Sequence, residues 1–161
     1  RNGAALASDG KVFTSLAEDD EEHVWVGSYG NGLLRVNTET GESENFRHED
    51  TDDRSLSDDR IMSLFADNDG SLWVGTFGQG LNHLDPATGQ FRHFRHEDQV
   101  TGSISSNAIT SIFRDRQGIL WIGTYGGGLN RLDPESQTFK PYRHDPGDDR
   151  SISSDRVLAV Y

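Results

Sequence analysis

The stretch LWVGTFGQGLNHLDP, residues 72–86, decides the fold because it occurs three times in one register. A later copy reads LWIGTYGGGLNRLDP at residues 120–134, and an earlier copy reads VWVGSYGNGLLRV at residues 24–36. No insertion interrupts the period of 48 residues, which is marked by Trp25, Trp73 and Trp121. A constant period of this size indicates a protein built from structural repeats.

Each copy of the repeat is predicted to contain four short strands. In the second copy, apolar and polar residues alternate over residues 61–65, and the turn sequence DNDG follows at residues 67–70. Residues 72–76 form the next strand, and a glycine-rich turn leads into the third. The sequence DPATG at residues 85–89 then makes a turn before the fourth strand. No segment has the sustained 3.6-residue periodicity of a helix.

Four antiparallel strands in a repeat of this length are typical of a β-propeller blade, so we predict an all-β fold. The blades are expected at residues 9–48, 58–96 and 106–144, and residues 155–161 are expected to form the first strand of a further blade. The predicted strands are 12–17, 24–28, 32–36, 43–47, 60–66, 72–76, 80–84, 90–95, 108–114, 120–124, 128–132, 138–143 and 156–161.

Three blades and one strand make an incomplete propeller, since closed propellers typically have about four to eight blades. An open arc would leave apolar blade faces and an unpaired strand edge in water. We therefore expect the chain to pack against the remaining blades of a parent protein that continues at both ends. Self-association through the open blade edges is the other way to cover these surfaces.

Two sets of recurring residues are predicted to be structural. The tryptophan of each second strand supplies a large apolar surface for packing one blade on the next, at Trp25, Trp73 and Trp121. A glycine in each following turn is expected to adopt a positive φ, which other residues rarely adopt, at Gly32, Gly80 and Gly128.

Composition excludes several classes of function. The chain has 15 Lys and Arg against 27 Asp and Glu, a net charge of −12, which disfavours nucleic acid as a partner. No apolar run approaches the ~18 residues of a spanning helix, so we expect no direct membrane contact from this segment. The absence of Cys excludes a disulfide scaffold, a zinc knuckle and a thiol nucleophile.

A candidate ligand-binding face is expected where the turns between second and third strands meet the loops between blades. Aromatic rings next to carboxylate, amide and guanidinium groups would suit a glycan or another small polar ligand that is neutral or cationic. Residues that recur in every copy also fit a purely architectural role, so positions that differ between copies are the better candidates for ligand binding. The candidate residues are Tyr29, Asn31, Asp59, Arg60, Phe77, Gln79, Asn107, Tyr125, Asp155 and Arg156.

Some patterns in the sequence resemble metal-binding or catalytic sites but lack the other residues that such a site needs. The recurring Arg-His pairs at 47–48, 95–96 and 143–144 belong to different blades, too far apart to meet on one metal ion. The DNDG sequence has Phe65 where a calcium loop would place an oxygen ligand. We predict no metal site, no cofactor and no catalytic residue. The less favoured alternative is a lyase-like propeller enzyme that uses one of the unrepeated histidines, His23, His83 or His93, as a base.

The motif L-W-[VI]-G-T-[FY]-G-x-G-L-N-x-L-D-P, followed by a Thr-Gly turn, Phe-x-x-[FY] and S-[LI]-S-x-[DN]-x-[IV], resembles the two-component regulator propeller repeat. The resemblance covers nearly the whole chain. Departures are mild: the first copy has Ser28 for Thr, Leu34 for Asn and Val36-Asn37-Thr38 for Leu-Asp-Pro, and the third has Ser136-Gln137 for Thr-Gly.

This resemblance implies a function in signalling. Blades of this family build the extracytoplasmic sensor regions of membrane-anchored histidine kinases, often hybrid kinases, and of some diguanylate cyclases. It implies a non-catalytic, periplasmic or otherwise extracytoplasmic segment of a bacterial membrane protein that senses external ligands, frequently glycan-derived. The alternative is a secreted carbohydrate-binding or protein-binding propeller scaffold, and no residue of the chain separates the two.

Overall fold

A computed structural model describes residues 12–19 and 22–161, which form three four-stranded sheets. The first blade consists of β1 (Phe13–Glu18), β2 (His23–Ser28), β3 (Leu33–Asn37) and β4 (Ser43–Phe46). The second consists of β5 (Ile61–Ala66), β6 (Leu72–Thr76), β7 (Leu81–Asp85) and β8 (Gln90–Phe94). The third consists of β9 (Ile109–Arg114), β10 (Leu120–Thr124), β11 (Leu129–Asp133) and β12 (Thr138–Tyr142).

Every sheet is an antiparallel meander in which each strand pairs with the next strand of the chain. The prediction of an all-β fold made of propeller blades is therefore confirmed. The bounds of these twelve strands agree with the predicted ones to within one residue. Residues 9–11, which were assigned to the first blade, lie outside the described residues. No helix of the described chain is long and apolar enough to cross a membrane.

The apolar core lies between the blades. One cluster joins the first two blades and another joins the second and third. The loops between blades contribute to both clusters, because Leu56 and Ile104 are fully buried in them. Trp25 and Trp73 are buried in these clusters at 4% and 5% exposure, whereas Trp121 of the third blade is only partly buried.

The glycine turns bring adjacent chain segments into close contact. Gly32, Gly80 and Gly128 all have positive φ, at 72°, 84° and 80°. A Cβ atom on Gly80 would overlap the carbonyl oxygen of Phe94, at the end of the neighbouring strand β8. Both the backbone conformation and the lack of space therefore require glycine at this position.

The predicted strand at residues 155–161 is not formed. Arg156 makes an isolated bridge with Tyr125, and the Val157 amide donates to the Thr124 carbonyl at 3.1 Å, but no strand follows. The equivalent strand β5 is paired along its length with β6. Among the described residues no strand pairs with residues 157–161 as β6 pairs with β5, so the first strand of a further blade stays a prediction.

Candidate functional site

The turns β2–β3, β6–β7 and β10–β11 lie at one end of the blades, together with the loops that connect one blade to the next; we call this end the turn face. An aromatic ring stands exposed on each turn: Tyr29 at 43%, Phe77 at 45% and Tyr125 at 51%. The rings of Tyr29 and Phe77 meet edge to face with 5.8 Å between their centroids. Two neighbouring blades thus present one continuous aromatic surface.

Guanidinium groups cover two of these rings. The Cζ atom of Arg60 lies 5.3 Å from the centroid of Phe77, and that of Arg156 lies 5.0 Å from the centroid of Tyr125. These distances are within the range of cation–π attraction. The position equivalent to Arg60 in the next copy is Ala108, so the turn face is not the same from blade to blade.

Arg60 is held by Asp58. The Nη2 atom of Arg60 donates to Oδ2 of Asp58 at 2.8 Å, and its Nε donates to Oδ1 at 3.0 Å. The hydrogen bonds with Asp58 raise the pKa of Arg60 above its ordinary value. Our sequence analysis missed Asp58, although comparing the copies could have found it, because serine occupies the same position in the two later copies.

A cavity of about 480 Å³ opens beside this ion pair. Its walls contain three of the candidate residues, Asp59, Arg60 and Gln79, so the structure brings these three together. The volume lies within the usual range for small-molecule sites, although the lining is mostly polar. The described residues that line it are His48, Ser57, Asp58, Asp59, Arg60, Gln79 and Arg95.

Asp59 and two further candidates have structural contacts that explain why they recur. The side chains of Asp59, Asn107 and Asp155 accept the backbone N–H of a histidine eleven residues earlier, at 2.8, 2.7 and 2.7 Å. Their backbone carbonyls accept N–H groups of the glycine turns, for example from Gly80 to Asn107 at 2.9 Å. These residues therefore join the loop between blades to the turn face.

Asn31 and Gln79 hold their turns through the backbone rather than the side chain. The Asn31 N–H donates to Oγ of Ser28, and the Gln79 N–H donates to Oγ1 of Thr76, both at 3.1 Å. Since the amide N–H makes this bond, the turn conformation does not depend on which side chain is present. This explains why glycine can replace them at residue 127 of the third copy.

The recurring histidines also have a structural role. The Nδ1 atoms of His48, His96 and His144 lie 2.8, 2.8 and 2.9 Å from a backbone carbonyl eight residues later. Each ring thus closes its own loop between blades. Among the described residues, no three His, Cys, Asp or Glu side chains gather as a metal site would require.

The unrepeated histidines lie in separate surroundings. His83 stacks on the Trp73 ring with 4.1 Å between centroids, and burial lowers the pKa of this imidazole. The Nε2 atom of His93 lies 2.8 Å from the carbonyl of Ser55, and Nδ1 of His23 lies 3.5 Å from Asp19. A lyase-like base would need a substrate cleft beside one of these rings; a cavity of about 260 Å³ is lined by His23, and the turn-face cavity contains none of the three.

Three antiparallel meanders that pack face to face through tryptophans define a segment of a β-propeller. The family model of the two-component regulator propeller matches residues 55–78 and 103–126, each of which runs from a loop between blades through two strands to the start of a glycine turn. The second and third repeats of the chain thus match the two-component regulator propeller family, the family that the motif resembles. A comparison with curated protein sequences gives no match.

Solved structures agree with this assignment. A structure described as the extracellular domain of the hybrid two-component system BT4673 from B. thetaiotaomicron is 34% identical, with a TM-score of 0.64 over 79% of this chain. The corresponding domain of BT3049 from B. thetaiotaomicron has a TM-score of 0.78 over 91% of this chain at 18% identity. The chain spans only 17% and 20% of these two proteins.

An enzyme also shares the fold. Catalytically inactive virginiamycin B lyase from Staphylococcus aureus, solved with quinupristin, has a TM-score of 0.66 at 14% identity. The match covers 89% of this chain and 44% of the lyase. At this identity the likeness concerns the fold alone, since the same propeller architecture supports unrelated functions.

Proposed function

We propose that the chain is a non-catalytic, ligand-binding part of the extracytoplasmic region of a membrane-bound bacterial two-component sensor. Binding on the turn face would be passed to an intracellular kinase or cyclase domain of the same protein. Two facts support the proposal: the second and third repeats match the regulator propeller family, and the solved structure that is 34% identical is described as the extracellular domain of a hybrid two-component system.

The observation that carries the proposal is the cavity of about 480 Å³ lined by Arg60, whose Cζ lies 5.3 Å from the centroid of the exposed Phe77 ring. A ligand there would contact the end of the first blade through His48 and the second blade through Arg60 and Gln79. A bound molecule that touches two blades can favour one arrangement of the receptor over another, because it binds the two arrangements with different affinity.

The chemistry of the cavity favours a neutral ligand with many hydroxyl groups, such as a glycan. Gln79 offers an amide donor and acceptor, Arg60 offers N–H donors, and Asp59 offers a carboxylate acceptor. The adjoining aromatic rings are exposed and provide an apolar surface. The net charge of −12 disfavours polyanionic ligands.

The test uses the full-length protein that carries these repeats, with a panel of neutral oligosaccharides. Asp58→Ser combined with Arg60→Ala gives this loop the residues that the next loop has as Ser106 and Ala108. Folding should be retained, since the Ala108 N–H donates to Oγ of Ser106 at 3.2 Å. We expect this variant and Gln79→Ala to weaken calorimetric binding about tenfold, the loss of one or two hydrogen bonds to charged or buried groups.

The control is Glu39→Gln, on the β3–β4 turn at the opposite end of the first blade, which should bind normally. Ligand-dependent autophosphorylation of the protein in membrane vesicles should fall in parallel with binding. The proposal fails if the oligosaccharides bind neither the protein nor its control, or if the turn-face variants signal like the unchanged protein.

A further inference from the structure

A second cavity, of about 410 Å³, lies between the first two blades at the end opposite the turn face. We call it the blade groove. Strands β3 and β4 of the first blade form one wall, and the β5–β6 and β7–β8 turns of the second blade form the other. Apolar side chains form its floor, and acidic side chains stand at its rim; those that matter are Trp25, Phe46, Leu84, Pro86, Glu44 and Asp69.

The corresponding groove between the second and third blades is bridged. One period further along the chain, Glu44 is replaced by Arg92 and Gly89 by Gln137. The Arg92 Nη1 donates to Oε1 of Gln137 at 3.2 Å, which ties one wall of that groove to the other. Glutamate and glycine at 44 and 89 cannot form this bond, so the first groove stays open.

Negative charge dominates the open groove. Glu44 is exposed, and the pKa of Asp69 is lowered by hydrogen bonds from Ser71, so Asp69 is ionised at neutral pH. Asp19 also lines the groove, and its Oδ2 accepts the Trp25 indole N–H at 2.9 Å. Of the described residues that line the groove, the one cation beside these three carboxylates is Arg35, whose Cζ lies 5.3 Å from the Trp25 ring.

We propose that the blade groove binds a small organic cation, an ammonium group attached to an apolar body. The apolar part would lie on the floor formed by Trp25, Phe46, Leu84 and Pro86, and the ammonium would face Glu44 and Asp69 at the rim. A mainly apolar pocket of a few hundred Å³ with a few charged groups is the usual form of a small-molecule site. The site is separate from the turn face and does not depend on the proposed function.

The matching anion should not bind. With three carboxylates and one guanidinium, the groove repels a carboxylate ligand of the same shape. Phenethylamine, phenylacetate and 2-phenylethanol are therefore suitable probes, since they share a ring and differ in charge. Binding is followed in the full chain by the indole N–H resonance of Trp25, which lies at the floor of the groove.

The structure supplies a variant that closes the groove. Glu44→Arg combined with Gly89→Gln gives the first groove the two bridging residues of the second. Gln137 has a φ of 55° and Gly89 a φ of 68°, and a Cβ on Gly89 meets no atom within 4 Å, so glutamine fits at this position. Glu44→Gln, at an exposed site, is a milder variant that removes only the charge.

We expect phenethylamine to shift the Trp25 resonance in a saturable way, phenylacetate to leave it unchanged and 2-phenylethanol to bind more weakly than the amine. The closed variant should lose the response, and Glu44→Gln should weaken it about tenfold, as loss of a charged hydrogen bond would. Asp58→Ser with Arg60→Ala, on the turn face, should respond normally. The proposal is overturned if phenethylamine causes no shift, if phenylacetate acts equally, or if both Glu44 variants respond like the unchanged chain.

Discussion

Replacement of Trp73 by alanine tests whether packing between blades stabilises this fold. The Trp73 side chain is 5% exposed, stacks on His83 and lies 5.7 Å from the Phe94 ring. Its indole N–H has no hydrogen-bond partner, so the loss on truncation comes from packing alone. Truncating a buried tryptophan to alanine costs about 3–5 kcal/mol, and we expect Trp73→Ala to lower the free energy of unfolding by this amount.

Trp121 provides the matched control. It occupies the same place in the third blade but is only partly buried, and its indole N–H donates to Asp115 at 2.8 Å. Trp121→Ala should therefore cost about 1–3 kcal/mol, from one hydrogen bond and a smaller area removed from water. The difference between the free energies of unfolding of the two variants measures how much the interface between the second and third blades stabilises the fold.

Urea unfolding followed by far-UV circular dichroism is the appropriate assay, since removal of a tryptophan alters the fluorescence signal itself. In a repeat protein each unit contacts its neighbours, so the transition of Trp73→Ala should broaden as well as shift. A cost below about 1 kcal/mol for Trp73→Ala, or a larger cost for Trp121→Ala, would refute the role assigned to this tryptophan.

Three further predictions concern the backbone turn, a buried amide and an imidazole. Gly80→Val should lower the midpoint of thermal unfolding strongly, because valine is strained at a φ of 84° and its Cβ would overlap the Phe94 carbonyl oxygen. An unchanged midpoint would contradict the turn geometry. Asn82→Leu should lower the free energy of unfolding in urea by about 1–3 kcal/mol, because the Ser57 N–H loses the Asn82 Oδ1 acceptor that lies 2.9 Å away. An unchanged urea midpoint would contradict this prediction. Burial lowers the pKa of the His83 imidazole in the folded protein. The folded protein is therefore fully stable, with respect to this group, above the pKa of about 6.5 that His83 has in the unfolded chain. This stability is lost as the pH falls below that pKa, because the unfolded chain binds the proton first. Between pH 7.5 and 5.5, the melting temperature of His83→Phe should depend less on pH than that of the unchanged chain. An equal pH dependence in the two proteins would disprove the effect.

Much of the fold could be predicted because strand patterns are local. Alternation of apolar residues over 61–65 and the turn residues at 67–70 are enough to place β5 and β6, whose pairing needs only neighbouring residues. The segment 155–161 carries the same local pattern and still forms no strand. Local preference alone could not decide this case, because a strand also needs a partner for its backbone groups.

The candidate site was predicted only in part. Tyr29 and Phe77 were placed on the same face from the repeat topology, and their rings meet there. Recurrence in the sequence could not separate Asp59, which holds the loop through the His48 amide, from a residue that only faces a ligand. Asp58 was missed because its importance comes from one ion pair with Arg60, and its signal in the sequence is a departure from the serine of the other copies and not a recurrence.

The sequence by itself determined the 48-residue repeat, the four strands of each blade and the acidic character of the surface, because these follow from neighbouring residues and from composition. Only the tertiary structure decided which groove between blades is open and which is bridged by a hydrogen bond. Arg92 and Gln137 meet across 45 residues of chain, while Glu44 and Gly89 line an open groove at the equivalent positions. Such pairs come together only when one blade packs on the next, so their contacts depend on the interface and not on the pattern within any strand.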